Sequence, residues 1–470
     1  MDAALIIGRE RLMTEDRIEV RNAFDQEVVG TLSVGTPALV NQAVDAATAA
    51  LENSFPTHAR VTALYKAADL FEAHAEEIAL LIAREGSKTI TEAQNEPRRA
   101  AEILRMSAEV ARTLSGETLP FDARPGSEGK VGYFVRNPLG IIACILPFND
   151  PVALVAHKVG PAIAVGNAVI LKPDPSSSLA VVRVCELLLQ AGIPVGRVNV
   201  ITGDGPTVGQ ALVVHPKVRM VSFTGGMNTG EIITRTAGIK KLSLELGSNS
   251  PVIIMADADL DAGARAVCNG AFAQAGQNCL GVQRVFVHSD VYAAFRDKVV
   301  QKTNDLKAGH SMDPEVDVCQ MIRPAEADRI KAWIDEAVAQ GAQILAGGKQ
   351  HGSVIEPTVM EGVADSARLS CAEVYGPVVS LFCVESLVEA VQKANAVDVG
   401  LHGAVFTENL RDAFYVAQHL EVGAVMINET TDYRLDTMPF GGTKKSGIGR
   451  EGVRFAAEEM SETRVVCFNL

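Results

Sequence analysis

Glu245 and Cys279 stand 34 residues apart, the acid in Leu242-Ser-Leu-Glu-Leu-Gly247 and the thiol in Gly276-Gln-Asn-Cys279. A thiol attacks carbonyl carbon as its thiolate, and the resulting acyl thioester must be cleared by a water that a carboxylate deprotonates. One nucleophile and one base cover both halves of such a reaction. Leu242, Leu244 and Leu246 share one face of an apolar strand, and Ser243 and Glu245 share the other. Burial would raise that carboxyl toward the range useful for a base, but a salt-bridged structural glutamate explains it equally well. Cys279 lies between glycines and outside any apolar periodicity, which favours a reactive thiol, although most cysteines are inert core residues. Asn149, in Pro147-Phe-Asn-Asp-Pro151, either turns its amide toward a developing oxyanion or closes an Asx turn between prolines.

The elements that must position these groups alternate along the chain. Apolar strands are predicted at 141–146, 168–172, 198–201, 220–223 and 242–246, with helices at 151–164, 177–191 and 207–214. This spacing predicts a doubly wound parallel sheet. Upstream, 37–53 and 58–85 carry apolar residues at helical spacing. Residues 117–138 read as a hairpin, and strands at 284–288, 378–382 and 424–427 predict a second α/β unit facing the first. Two strand-to-helix turns are glycine-rich, Gly203 to Gly209 and Phe223-Thr-Gly-Gly226. Such turns admit a phosphate to a helix N-terminus, although glycine also serves tight turns for conformational reasons alone. Lys172, ending a strand, suits a nucleotide ribose or phosphate, or simply snorkels to water.

At 470 residues with 47% apolar content the chain has material for two or three domains. A net charge of −14 argues against nucleic-acid or anionic-membrane partners. The eight cysteines show no C-x-x-C pairing, so no zinc ribbon or disulfide framework is expected, no metal is assigned, and a reducing cytoplasm fits best. No apolar run approaches the roughly 20 residues that span a bilayer.

Taken in order, Pro147-Phe-Asn149, Lys158 to Asn167, Lys172-Pro173, Phe223-Thr-Gly225, Leu244-Glu-Leu-Gly247, Gly276-Gln-Asn-Cys279, Glu373-Val-Tyr-Gly-Pro377, Pro439-Phe-Gly-Gly442 and Ser446-Gly447 resemble the aldehyde dehydrogenase superfamily from about residue 20 onward. The resemblance implies a Rossmann-like parallel-sheet cofactor domain (1–116 and 139–245), a second α/β catalytic domain (246–452), and an oligomerisation arm (117–138 and 453–470). The arm would reach a neighbouring subunit in a homodimer or homotetramer. It implies Cys279 as nucleophile, Glu245 as general base, and Asn149 with the Cys279 amide as oxyanion donors. Lys158 and Thr224 resemble positions that help relay protons. Phe148, Lys172, Gly209, Phe223, Thr224, Gly225, Glu373 and Tyr375 are expected to contact NAD or NADP. The implied reaction oxidises an aldehyde to its acid through a thiohemiacetal and a thioester. A CoA-acylating relative has no need of Glu245, and a catalytically dead member has no need of the three together.

Four departures from the family pattern stand out, one of them a dipeptide. Pro175 stands where an acidic clamp on the ribose diol is common, which leaves NAD against NADP open. Gly226, Ala372 and Ser248-Asn249 replace a serine, a second acid and Gly-Lys. The family's substrate tunnel maps onto Arg99, His157, Asn278, Arg434 and Phe440. One or two arginines and a histidine there suit a short aldehyde with an anionic tail, a carboxylate, phosphonate or sulfonate, as in members acting on lactaldehyde, phosphonoacetaldehyde or semialdehydes. The competing reading makes Arg98, Arg99 and Arg434 ordinary salt-bridge partners.

Overall fold

The alternating segments fold into a parallel sheet whose strands are β1 (Ile141–Ile145), β2 (Ala168–Lys172), β3 (Val198–Val200), β4 (Val218–Thr224) and β5 (Lys241–Glu245). Their spatial order is β5-β4-β1-β2-β3, in a computed structural model that describes all residues 1–470. All four pairings are parallel, and antiparallel strands Gly447–Ile448 and Leu5–Ile7 flank β5 and β3.

Side chains alternate between two cores. Ile142, Cys144, Val169 and Leu171 meet helices α1 (Pro151–Val165), α2 (Ser178–Gln190) and those at 57–73 and 96–113. Ile141, Ala143, Ile145 and Ile170 meet the helices at 37–52 and 210–214. With both faces covered, near-continuous apolar strands are what the sheet requires. Strand order reverses at β1, so the carboxyl ends of β1 and β4 open the crevice where α/β sheets bind ligands.

The second sheet contains β6 (Ser250–Ile254), β7 (Val282–His288), β8 (Thr358–Glu361), β9 (Val378–Val384), β10 (His402–Phe406) and β11 (Ala424–Ile427). They are parallel throughout, in the order β8-β9-β7-β6-β10-β11. Strands β6, β8 and β10 escape the sequence pattern, because four- and five-residue runs carry too little periodicity to separate strand from buried helix, and helix α3 (Met227–Thr236) escapes it because it buries only Gly230 and Ile233. The helix expected over 58–85 is two helices, Thr57–Ala73 and Ala75–Glu85, broken at His74, whose backbone leaves the helical region.

The hairpin strand Lys130–Pro138 pairs with Ser461–Asn469 and, briefly, with Glu117–Thr118. That edge of the hairpin strand is therefore covered by strand Ser461–Asn469 of the same chain. One face remains open, with Val131, Tyr133, Val135 and Phe468 exposed. Residues 453–460 do not belong to this arm: helix Val453–Glu459 packs on α1, and Val453 and Met460 join the first core. No helix is long and apolar enough to cross a membrane.

Candidate active site

Strand β5 ends at Glu245 and β6 begins at Ser250, so the chain passes from the carboxyl ends of the first sheet to the amino ends of the second. The loops entering β7 and β9 bring Cys279 and Glu373 to that junction. Before Cys279 three residues are left-handed, Gln274 (φ 55°), Ala275 (φ 54°) and Gly276 (φ 68°). A Cβ on Gly276 would lie 2.2 Å from the Gly376 carbonyl carbon, so only glycine fits. Gln277 Oε1 accepts from Ile322 N at 2.9 Å, and Asn278 Oδ1 accepts from Leu280 N at 2.9 Å. Cys279 is left half-buried against Leu280, Leu401 and Phe440. Burial pushes its thiol well up; Arg434 pulls it down, while Asp150, Glu373 and Glu245 push the same way as burial.

Glu245 is 2% exposed, and neither carboxylate oxygen has a hydrogen-bond partner. The salt-bridged alternative is thus not realised. Burial and the charge of Glu451 raise this carboxyl well above the usual range, against the pull of Arg434, Lys158 and Arg450. Gly441 passes so close that a Cβ would lie 3.0 Å from Glu245 Oε1. Buried Lys158 donates to Ser222 Oγ at 3.0 Å and to Glu451 Oε1 at 2.9 Å. Arg434 donates through Nη2 to Glu451 Oε2 at 3.2 Å, lies 3.7 Å from the Phe440 ring centroid, and keeps a buried, unpartnered Nε. Burial would raise Glu451, but Lys158 and Arg434 outweigh it and hold the group far below the carboxylate range.

The expected substrate residues separate into two sets. Phe440 lies against Cys279 with Arg434 over its ring. Arg99 and His157 instead converge on Asp436, Arg99 through Nη2 at 2.7 Å and Nε at 3.1 Å, His157 through Nε2 at 3.1 Å. For Arg99 the salt-bridge reading is the correct one. Burial, with Arg434 nearby, pushes His157 down to about 4, so the neutral ring donates to Asp436 from Nε2 and leaves Nδ1 unpartnered. Asn278 is spent too, its amide donating to Asp432, a carboxyl that burial raises to about 6.

The two glycine turns differ. Asp204 caps the first through Thr207 N at 2.7 Å, placing a carboxylate where a phosphate would go; Gly209 packs beside Lys172, its notional Cβ 3.9 Å from Lys172 Cδ. The second turn is open. Gly226 precedes α3 without a side-chain cap, and a Cβ there would meet nothing within 4 Å. Phe223 is buried beneath this turn, 2.5 Å from a notional Cβ on Gly225, and Thr224 Oγ1 is buried without a partner. Lys172 is buried, pushed down by that burial, and donates only to the Pro173 carbonyl at 3.1 Å. Glu373 Oε1 accepts from Ser248 N at 2.9 Å, and burial raises its carboxyl to about 7. Tyr375, itself left-handed at φ 50°, meets Phe148 edge-on at 5.9 Å. An uncapped helix N-terminus, an orphan hydroxyl, a buried lysine and a buried carboxylate suit the phosphates and ribose hydroxyls of a dinucleotide.

Residues 12–466 match the aldehyde dehydrogenase family. The chain belongs to that family. Among the relatives of this aldehyde dehydrogenase is a 3-sulfolactaldehyde dehydrogenase of Priestia aryabhattai, 42% identical over 466 residues, 99% of this chain and 98% of that one. An aspartate-semialdehyde dehydrogenase of Pseudomonas canavaninivorans is 44% identical over 97% of this chain and 98% of that one. The NADP-dependent glyceraldehyde-3-phosphate dehydrogenase of Bacillus halodurans, solved with NADP, has a TM-score of 0.98 at 36% identity, with 100% of both chains covered. The protein is an NAD(P)-dependent oxidoreductase that converts aldehydes to acids.

Sequence reasoning passed over Glu451, which pairs with Lys158 and Arg434, and Asp436, which pairs with Arg99 and His157. The signal for Glu451 is an acid in a glycine-rich loop, Gly447-Ile-Gly-Arg-Glu451; for Asp436 it is an acid two residues after Arg434. Each is conspicuous only once its cations are seen.

Proposed function

We propose that this dehydrogenase oxidises a short aldehyde bearing an anionic tail, a sulfonate, phosphonate or carboxylate, and that Arg434 holds the tail. The observation that carries this is the guanidinium over Phe440, close enough to Cys279 and Glu245 to shift both, with Nε unpartnered. Arg99 is already held by Asp436.

Cys279 Sγ, as thiolate, attacks the carbonyl carbon, and the resulting oxyanion takes hydrogen bonds from the Asn149 amide and the Cys279 N–H. A bound nicotinamide dinucleotide supplies the two-electron acceptor that leaves a thioester on Sγ. Glu245 then takes a proton from water as its oxygen adds to the thioester carbon, and collapse expels the thiolate and releases the acid. An unpaired, buried carboxylate suits this step, because no ion pair must break before it accepts a proton. Lys158, with Thr224, is proposed to help pass that proton outward.

Thr224, Gly225 and Gly226 would hold the pyrophosphate, Lys172 the adenosine ribose, and Glu373 with Tyr375 and Phe148 the nicotinamide ribose. Use of both NAD and NADP is supported by Pro175 in place of a carboxylate, by Asp174 engaged with Ser176 N at 2.9 Å, and by the unpartnered Ser177 Oγ. The domain limits given above, apart from helix 453–459, a homodimer or homotetramer joined through the hairpin arm, and a cytoplasmic setting complete the proposal. The test is NAD(P)H formation with propionaldehyde and with succinic semialdehyde: equal kcat/KM for the two would overturn the anionic-tail assignment.

A further inference from the structure

Residues 85–96 link two helices and carry four charged side chains turned inward: Glu85, Lys88 and Glu96, all buried, and half-buried Glu92. The three glutamates accept from backbone N–H groups near the site, and Lys88 pairs with carboxylates. Glu85 accepts from Leu179 N and Ala180 N, both at 2.8 Å, at the start of α2. Glu96 Oε1 accepts from Val152 N at 2.7 Å and Ala153 N at 3.0 Å at the start of α1, just beyond Asn149. Lys88 lies between, donating to Glu96 Oε2 at 2.5 Å and to Asp150.

Glu92 reaches the other half of the site. Its Oε2 closes a capping box with Thr89 N at 2.9 Å, which is all that the short helix Ile90–Ala93 needs. Its Oε1 is free of that duty and accepts from Gln274 N at 2.7 Å, five residues before Cys279. The Gln274 side-chain amide donates to Asp150 Oδ1 at 3.3 Å. Gln274 and Ala275 are both left-handed, a conformation that costs a residue with a Cβ about 1–2 kcal/mol and persists where the surroundings impose it. The two bonds on Gln274 supply that constraint from a distant part of the chain.

We propose that Glu92 is a positioning residue for Cys279, and that Lys88 and Asp150 tie the same left-handed turn to the loop carrying Asn149, so that nucleophile and oxyanion donor keep a fixed separation. The inference rests on the roles given above to Cys279 and Asn149. A charged acceptor contributes more than a neutral one, and a small displacement of a nucleophile slows its reaction steeply.

The experiment uses the full-length enzyme with and without NADP+. Alkylation of Cys279 by iodoacetamide is followed by peptide mass spectrometry, because Cys371, Cys383 and Cys467 are exposed and react with the same reagent. Glu92→Gln keeps the size of the side chain but offers one acceptor oxygen to two N–H groups. It is expected to slow Cys279 alkylation and kcat by about 10-fold, with KM for NADP+ unchanged. Adding Ala275→Gly, which relieves left-handed strain without removing a hydrogen bond, is expected to restore at least about threefold of both. Gln274→Ala, which cuts only the tie to Asp150, is expected to slow alkylation about threefold. Wild-type alkylation and kcat in Glu92→Gln and Gln274→Ala would overturn the proposal. So would a loss of kcat that tracks melting temperature and does not recover with Ala275→Gly. Full turnover by Cys279→Ala would strike the nucleophile assignment alone.

Discussion

Replacing Arg434 with Met removes a guanidinium while leaving an unbranched side chain against the Phe440 ring. Glu451 is not stranded, because Lys158 still donates to its other oxygen at 2.9 Å. Two effects then separate. An anionic aldehyde loses a charge-assisted hydrogen bond worth about 1.5–3 kcal/mol, or about 10- to 150-fold in kcat/KM. A neutral aldehyde of similar length loses none of that. Both substrates share the second effect, because burial raises Glu245 and Cys279 and Arg434 is among the charges that hold them down. Without it both groups titrate higher. The base and the thiolate act in their ionised forms, so the acid limb of the rate profile moves to higher pH, equally for both aldehydes. The assay is steady-state NADPH formation from succinic semialdehyde and propionaldehyde across neutral to alkaline pH in both enzymes. The ratio of the two kcat/KM values, taken on the plateau, isolates the anion contact. An unchanged ratio would refute the role given to Arg434, and an acid limb that stays put would refute its electrostatic link to Glu245.

Glu245→Gln should still form the thioester, giving one rapid NADPH equivalent per active site and then turnover slowed by about 10²- to 10⁴-fold; undiminished steady-state turnover would remove Glu245 from the hydrolytic step. His402 lies edge-on to Phe440 at 5.3 Å and bonds the Thr431 carbonyl at 2.9 Å, and burial pushes it from 6.5 to about 4. As pH falls from 6.5 toward 4, the unfolded chain takes up a proton that the folded one refuses, so stability is lost over that window, about 2 kcal/mol of it by pH 5. Urea titrations at neutral and acid pH should show this loss reduced by that amount in His402→Asn, and equal losses in the two proteins would count against it. Val131→Asp combined with Phe468→Asp places charge on cross-strand partners of the open hairpin face; light scattering should report a monomer, and an unchanged mass would remove that face from the subunit contact.

What could be read from sequence was whatever local pattern encodes. The alternation of apolar runs gave away β1 to β5, because strands buried on both faces must be apolar throughout. Glycines and a polar residue around a thiol marked Cys279, and an acid interrupting leucines marked Glu245. Short strands such as β6 and β10 stayed hidden for want of periodicity, as did the break at His74. The tertiary structure alone decided how the charges divide. Arg99 and Arg434 are the same residue type in equally plausible positions, yet Asp436 takes the first while Glu451 holds the second beside the thiol. The two glycine turns read alike until Asp204 is seen capping one and nothing capping the other. Glu92 and Gln274 gave no sign of each other across 182 residues. A residue's propensity is set by its neighbours in the chain, whereas the partner of a buried charge is whichever opposite group packing brings within hydrogen-bond reach, and no local pattern records that choice.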